Sequence, residues 1–161
     1  MSTRCQIGYY RDFEDEVPEV LLYKHSDGYP EDTLVAIADF LKEFVPARGV
    51  EVPEYLMAQL LVSLVNRSNR ERDAFEAKFY ADRPAAREPN FLGFGICGDK
   101  QLHYDIEYLY KITPAGVQVY RVASVDVTGN DDVNQDLGKG MLTARQAKAV
   151  LRGVVPKSIK R

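Results

Sequence analysis

The sequence predicts an α+β fold: a mainly antiparallel sheet of about five strands with helices packed on one face, in the order β-β-α-α-β-β-β-α. Three observations carry this. Two short runs near the N-terminus have strand length and flank a charged, proline-bearing loop. From Pro30 onward, apolar residues recur at helical spacing. Three more apolar runs follow, joined by short turns that contain glycine, and a capped helix comes last. Strands and helices grouped in runs, rather than alternating, favour helices gathered on one side of an antiparallel sheet. The 161 residues suit a single domain over 1–161, because a domain near this size hides about 70% of the surface of its unfolded chain.

Thr3 to Tyr10, TRCQIGYY, alternates as a strand does, and Glu19 to His25, EVLLYKH, is a second strand. Between them RDFEDEVP is a hairpin loop. From Pro30 the period changes, and Leu34, Ile37, Ala38, Leu41, Phe44 and Val45 predict a helix that Pro46 and Gly49 end. Pro53 suits the first position of a second helix, with Met57, Leu60, Leu61, Leu64 and Val65 on its apolar face. The continuation NRSNRERDAFEAKFY is charged but still carries Phe75, Phe79 and Tyr80, so this helix either runs on or breaks near Ser68 and Asn69. ADRPAAREPN is a loop. Phe91 to Cys97, Leu102 to Ile112 and Val117 to Ala123 read as a three-stranded meander. SVDVTGNDDVNQDLGKGML is a long polar loop, and TARQ, Thr143 to Gln146, is a capping box opening a short last helix that Gly153 ends.

Composition narrows the function classes. A formal net charge of -3 argues against a nucleic-acid binder, which needs a clustered excess of Lys and Arg. No apolar run approaches the roughly 20 residues that span a bilayer, and MSTRCQIGYY lacks the apolar centre of a secretory signal. A cytoplasmic chain without a membrane contact is therefore expected. Cys5 and Cys97 have no CxxC spacing, which favours two buried reduced thiols over a disulfide or a zinc site.

The segment LLYKHSDGYPEDTL, Leu21 to Leu34, combines turn chemistry with candidate binding chemistry. Asp27 and Gly28 suit a turn, Asp by bonding downstream backbone and Gly by tolerating positive φ. Pro30 suits the first helical turn. No turn requires His25 or Tyr29, and a helix N-terminus beside them presents N–H groups that attract anions. The second constellation is LHYDIEYLYKI. Read as a strand, it places His103, Asp105, Glu107, Leu109 and Lys111 on one face, opposite an aromatic core face. His103, Asp105 and Glu107 are ligand types for zinc or hard divalent cations. A solvated sheet face is the structural alternative.

Other short patterns carry no chemistry. NDDVNQDLGKGM has Gln135 and Met141 where a calcium loop needs Gly and Glu. LGKG has Gly140 where a phosphate loop needs Ser or Thr. GFGICG lacks dinucleotide-fingerprint spacing, and its glycines are expected to let another segment or a ligand approach closely.

MSTR at the start, the HSDGY turn and the DIEY strand together resemble a group of uncharacterised small proteins of phages, prophages, plasmids and assorted bacteria and archaea. That resemblance brings no known reaction. It implies that Arg4, His25, Asp27, Gly28, Tyr29, Asp105 and Glu107 match a recurring pattern, and that a mobile-element setting fits. Hairpin pairing would set Arg4 beside His25 at one sheet edge, where Arg4 could serve a ligand or hold Asp27 or Asp105. The expectation is a non-enzymatic accessory protein that binds a small anionic ligand or a host protein, with no cofactor. The alternative is a metal-dependent hydrolase or nuclease using Asp105, Glu107 and a histidine. Lys111 lies four residues beyond Glu107, so the E-x-K pair of a common nuclease core is absent.

Overall fold

The computed structural model describes residues 2–82, 93–123 and 136–159. Its elements are β1 (Cys5–Tyr9), β2 (Val20–Lys24), α1 (Pro30–Arg48), α2 (Pro53–Phe79), β3 (Phe94–Ile96), β4 (Tyr108–Thr113), β5 (Gly116–Ala123), β6 (Asp136–Leu137) and α3 (Ala144–Val150). The class is α+β as expected, and the described strands lie in the order β3-β2-β1-β4-β5-β6. The sheet is mixed: β1 runs parallel to β4, while the other four pairings are antiparallel.

Strand alternation divides the sheet into two faces. Cys5, Ile7, Tyr9, Leu22, Tyr110, Ile112, Val117 and Val119 pack against the helices. On those helices the expected apolar periods supply the other half of the core, with Leu34, Ile37 and Leu41 from α1 and Leu56, Met57, Leu60 and Leu64 from α2. Pro46 does not end α1. It sits inside the last turn, and Gly49 closes the helix at φ 76°, where a residue without Cβ is favoured. α2 runs unbroken through Ser68 and Asn69 to Phe79. The Thr143 capping box forms in full, with Thr143 Oγ1 accepting from the Gln146 N–H and Gln146 Oε1 from the Thr143 N–H.

Two expectations fail on the second face. β3, β4 and β5 are not a meander, because β3 joins the far edge beside β2 while β4 lies beside β1. The connection from Cys97 to Glu107 therefore has to cross back over the sheet, and it is a loop, so the His103–Asp105–Glu107 row lies on no strand. Gln6, fully buried at the middle of the sheet, holds the crossing chain: its Nε2 donates to the Gln101 carbonyl and its Oε1 accepts from the His103 N–H. Nor is this face solvated. Leu21, Cys97, Ile106, Leu109 and Val122 form a second small core under the loop. Lys111, placed by alternation on that face, is buried too, and its Nζ donates to the carbonyls of Phe13 and Asp15 in the β1–β2 loop.

The loop reading of ADRPAAREPN falls mostly, and that of SVDVTGNDDVNQDLGKGML mainly, outside the described residues, as do Phe91 and Leu92 of the expected third strand. Nothing among the described residues lies within 4 Å of a Cβ built on Gly93, Gly95 or Gly98, so the expected close approach at GFGICG is not found.

Candidate functional site

The HSDGY turn is held by its backbone. Lys24, at the end of β2 on the helix side, donates through Nζ to the Asp27 carbonyl at 2.7 Å and to the Ser26 carbonyl. Thr33 Oγ1 donates to the same Asp27 carbonyl at 2.9 Å. Asp27, not Gly28, takes the left-handed conformation, at φ 55°, one that Asp adopts more readily than most residues. Gly28 is needed for another reason: a Cβ there would lie 2.9 Å from Cys5 Cβ and 3.0 Å from the Thr3 carbonyl oxygen. Its N–H donates to Thr3 O, and its own carbonyl accepts from the Tyr110 hydroxyl at 2.7 Å. The turn is thereby pressed onto the start of β1.

The seven residues of the recurring pattern do not form one cluster. Arg4 forms an ion pair with Asp105, part-buried on both sides. This is one of the two structural partners expected for it. β1 lies between β2 and β4, so Arg4 stands at a strand end and not at a sheet edge. For His25 the sequence leads one to expect partial burial and a carboxylate partner, Asp27 or an acid of the fourth strand; it is partly buried, but the group at its Nδ1 is the Tyr23 hydroxyl, 3.2 Å away. The Tyr23 ring also packs on His103, with centroids 4.9 Å apart, and His103 Nε2 lies 3.7 Å from Cys97 Sγ. Glu107 is exposed, and its backbone N–H donates to the Arg4 carbonyl. Tyr29 caps α1 with its backbone, without a side-chain cap, and packs loosely on Tyr108 at 6.3 Å.

The N-terminus of α1 is acidic. Glu31 and Asp32 occupy the first turn and Asp27 precedes it, and Asp32 is held above the usual carboxylate range by burial and by the repulsion of Glu31 and Asp27. The helix end expected to attract an anion is thus occupied by carboxylates of its own chain. Among the described residues no group of three or more His, Cys, Asp and Glu side chains is placed to hold a metal ion. Both cysteines are free and buried, as expected.

The sequence reading missed the larger site, a cavity of about 710 Å³ between α1 and α2. Two stripes with a spacing of four face each other across it: Ala36, Phe40, Phe44 and Arg48 from α1, and Tyr55, Gln59, Ser63 and Arg67 from α2. Asp39, Glu43 and Arg70 complete the lining. Only a short connection, residues 49–52, joins the helices, so they run antiparallel and each level of one stripe meets a level of the other. At the connection end the Arg48 guanidinium lies 5.8 Å from the centroid of the Tyr55 ring. In the middle Phe40 and Phe44 stack at 5.0 Å. At the far end Arg67 spans the helices, donating to Asp39 at 2.9 Å and to Glu71 at 2.9 Å. Beyond it lies a second cavity of about 290 Å³, lined by Lys24, Asp27, Asp32, Thr33, Ser68 and Glu71 among others, and sharing Ala36 and Arg67 with the first. Asp27 is the one pattern residue that lines either of these two cavities.

No family model, no curated protein and no solved structure matches this chain.

Proposed function

We propose that this chain is a non-enzymatic binding protein that takes a small anionic ligand in the groove between α1 and α2. The observation that carries the reading is the union in one cavity of three guanidinium groups, Arg48, Arg67 and Arg70, with the rings of Phe40, Phe44 and Tyr55. A concave site of several hundred Å³ that sets two phenylalanine rings among charged and polar side chains suits a small polar ligand, and guanidinium forks suit phosphate or carboxylate. A cytoplasmic accessory role on a mobile element is the setting in which we place it, on the resemblance of the MSTR, HSDGY and DIEY segments. The binding reading stands ahead of a metal-dependent hydrolase because Asp105 is already paired with Arg4 and, among the described residues, no group of three or more His, Cys, Asp and Glu side chains is placed to hold a metal ion.

Thermal melting with inorganic pyrophosphate tests the reading. Pyrophosphate should raise the melting temperature of the parent protein and leave that of Arg70→Ala unmoved, while the two proteins melt alike without ligand because Arg70 is exposed. A parent protein indifferent to pyrophosphate, or an equal shift in both, overturns it.

A further inference from the structure

We infer that the ligand of the α1–α2 groove is a nucleoside phosphate, an inference that rests on the binding reading above and names its ligand class. The groove is chemically graded along its length. Arg48 over Tyr55 lies at the connection end, the Phe40–Phe44 stack in the middle, and Arg70 with Arg67, the latter held by Asp39 and Glu71, at the other end. A rise of 1.5 Å per residue sets the level of the phenylalanines, beside Gln59 and Ser63, roughly 6 to 12 Å from Arg67 along the helix axis. A free phosphate cannot bridge that span, whereas a nucleoside phosphate carries a ring and an anion at its two ends. The Phe40–Phe44 stack, only partly buried against the core, is therefore the ring pair within reach; Tyr55, about 18 Å from Arg67 by the same rise and under the Arg48 guanidinium, is out of reach.

The carboxylates point the same way. Asp39 is engaged by Arg67. Glu43 lines the cavity at the level of the rings and repels a bare anion there. It is suited instead to accept hydrogen bonds from a sugar hydroxyl or an exocyclic amine, as acidic side chains do in nucleotide sites. Gln59 and Ser63, on the facing stripe, add neutral donors and acceptors beside the rings.

Isothermal titration of the intact chain at fixed ionic strength with the four ribonucleoside diphosphates, a nucleoside and inorganic pyrophosphate tests this. At least one diphosphate should bind about tenfold or more tighter than pyrophosphate, the size of a base–aromatic stacking contribution. Phe44→Leu, which keeps apolar packing but removes the ring, should abolish that advantage and leave pyrophosphate, which reaches only the guanidinium end, bound as before, and Arg70→Ala should weaken both. Pyrophosphate binding equal to that of all four diphosphates overturns the nucleotide inference and leaves the anion reading standing. Absence of binding by every phosphate compound overturns both.

Discussion

The Arg4 guanidinium and the Asp105 carboxylate, 101 positions apart, form an ion pair that ties the start of β1 to the loop entering β4. Their side chains are 35% and 25% exposed, so water screens the pair only in part. Arg4→Ala and Asp105→Ala should each lower unfolding stability by about 1 kcal/mol, with a coupling of about 0.5 to 1 kcal/mol in the double variant. Urea denaturation of the four proteins measures this. Strictly additive losses would deny the pair any net contribution.

Gly28 and Gly95 make a controlled comparison. A methyl at Gly28 meets Cys5 Cβ and the backbone of Thr3 and Arg4 at 3.0 Å or less, with rigid strand on the other side. At Gly95 it meets nothing within 4 Å. Gly28→Ala should therefore cost about 1 to 3 kcal/mol, while Gly95→Ala should stay within about 0.5 kcal/mol of the parent. Equal melting temperatures for the two variants would remove the close-approach argument.

His25 has a phenol for a partner, and that limits its contribution to stability. Tyr23→Phe and His25→Ala should each cost about 0.5 to 1.5 kcal/mol, the range of one neutral hydrogen bond. The double variant should cost less than the sum, since either change removes the same contact. The groove lies on the opposite side of the sheet, so neither change should alter pyrophosphate binding.

Local periods made the fold class legible, and non-local pairing made the strand order illegible. Leu34, Ile37 and Leu41 mark α1, and Met57, Leu60 and Leu64 mark α2, because a buried face repeats with the helix. Nothing local in Phe94–Ile96 says that it will pair with β2 rather than β4. LHYDIE alternates as a strand would, yet Gln6 and the second core hold it as a loop, a tertiary contact that alternation does not encode. Much the same holds for the candidate site. The HSDGY turn draws the eye, but Gly28 and Tyr110 explain most of it by packing. The groove was written in two stripes with a spacing of four, Ala36–Phe40–Phe44–Arg48 and Tyr55–Gln59–Ser63–Arg67; apart from Phe44, which reads as core, they read as ordinary helix positions until the helices are known to be antiparallel neighbours.

The thiols should differ in accessibility although neither is oxidised. Burial pushes Cys5 up to about 12, and Cys97 is also raised by burial, against the donation of the Gln6 amide. Cys5 is fully enclosed in the main core, whereas Cys97 is 7% exposed under a single loop. An aromatic disulfide reagent at neutral pH should label Cys97 slowly in the native protein and Cys5 only on unfolding. Faster labelling in Cys97→Ser than in Cys5→Ser would reverse the assignment.

Lys111 gives the last prediction, and its sign follows from its surroundings. The residue is 4% exposed, and its ammonium donates to the Phe13 and Asp15 carbonyls and lies 4.5 Å from the centroid of the Tyr10 ring and 5.5 Å from that of Tyr120. Burial lowers its pKa below the ordinary 10.5, although Glu14, Asp15 and Glu16 oppose the shift. Between the lowered native value and 10.5 the unfolded chain binds more protons than the folded one, so stability from this group rises with pH across that window. Lys111→Met should flatten the rise. It should also cost about 1 to 3 kcal/mol near neutrality by leaving two loop carbonyls without their donor. Urea melts of the parent and Lys111→Met at neutral pH and through the alkaline range measure both effects, and an unchanged alkaline slope would show that Lys111 is not the group responsible.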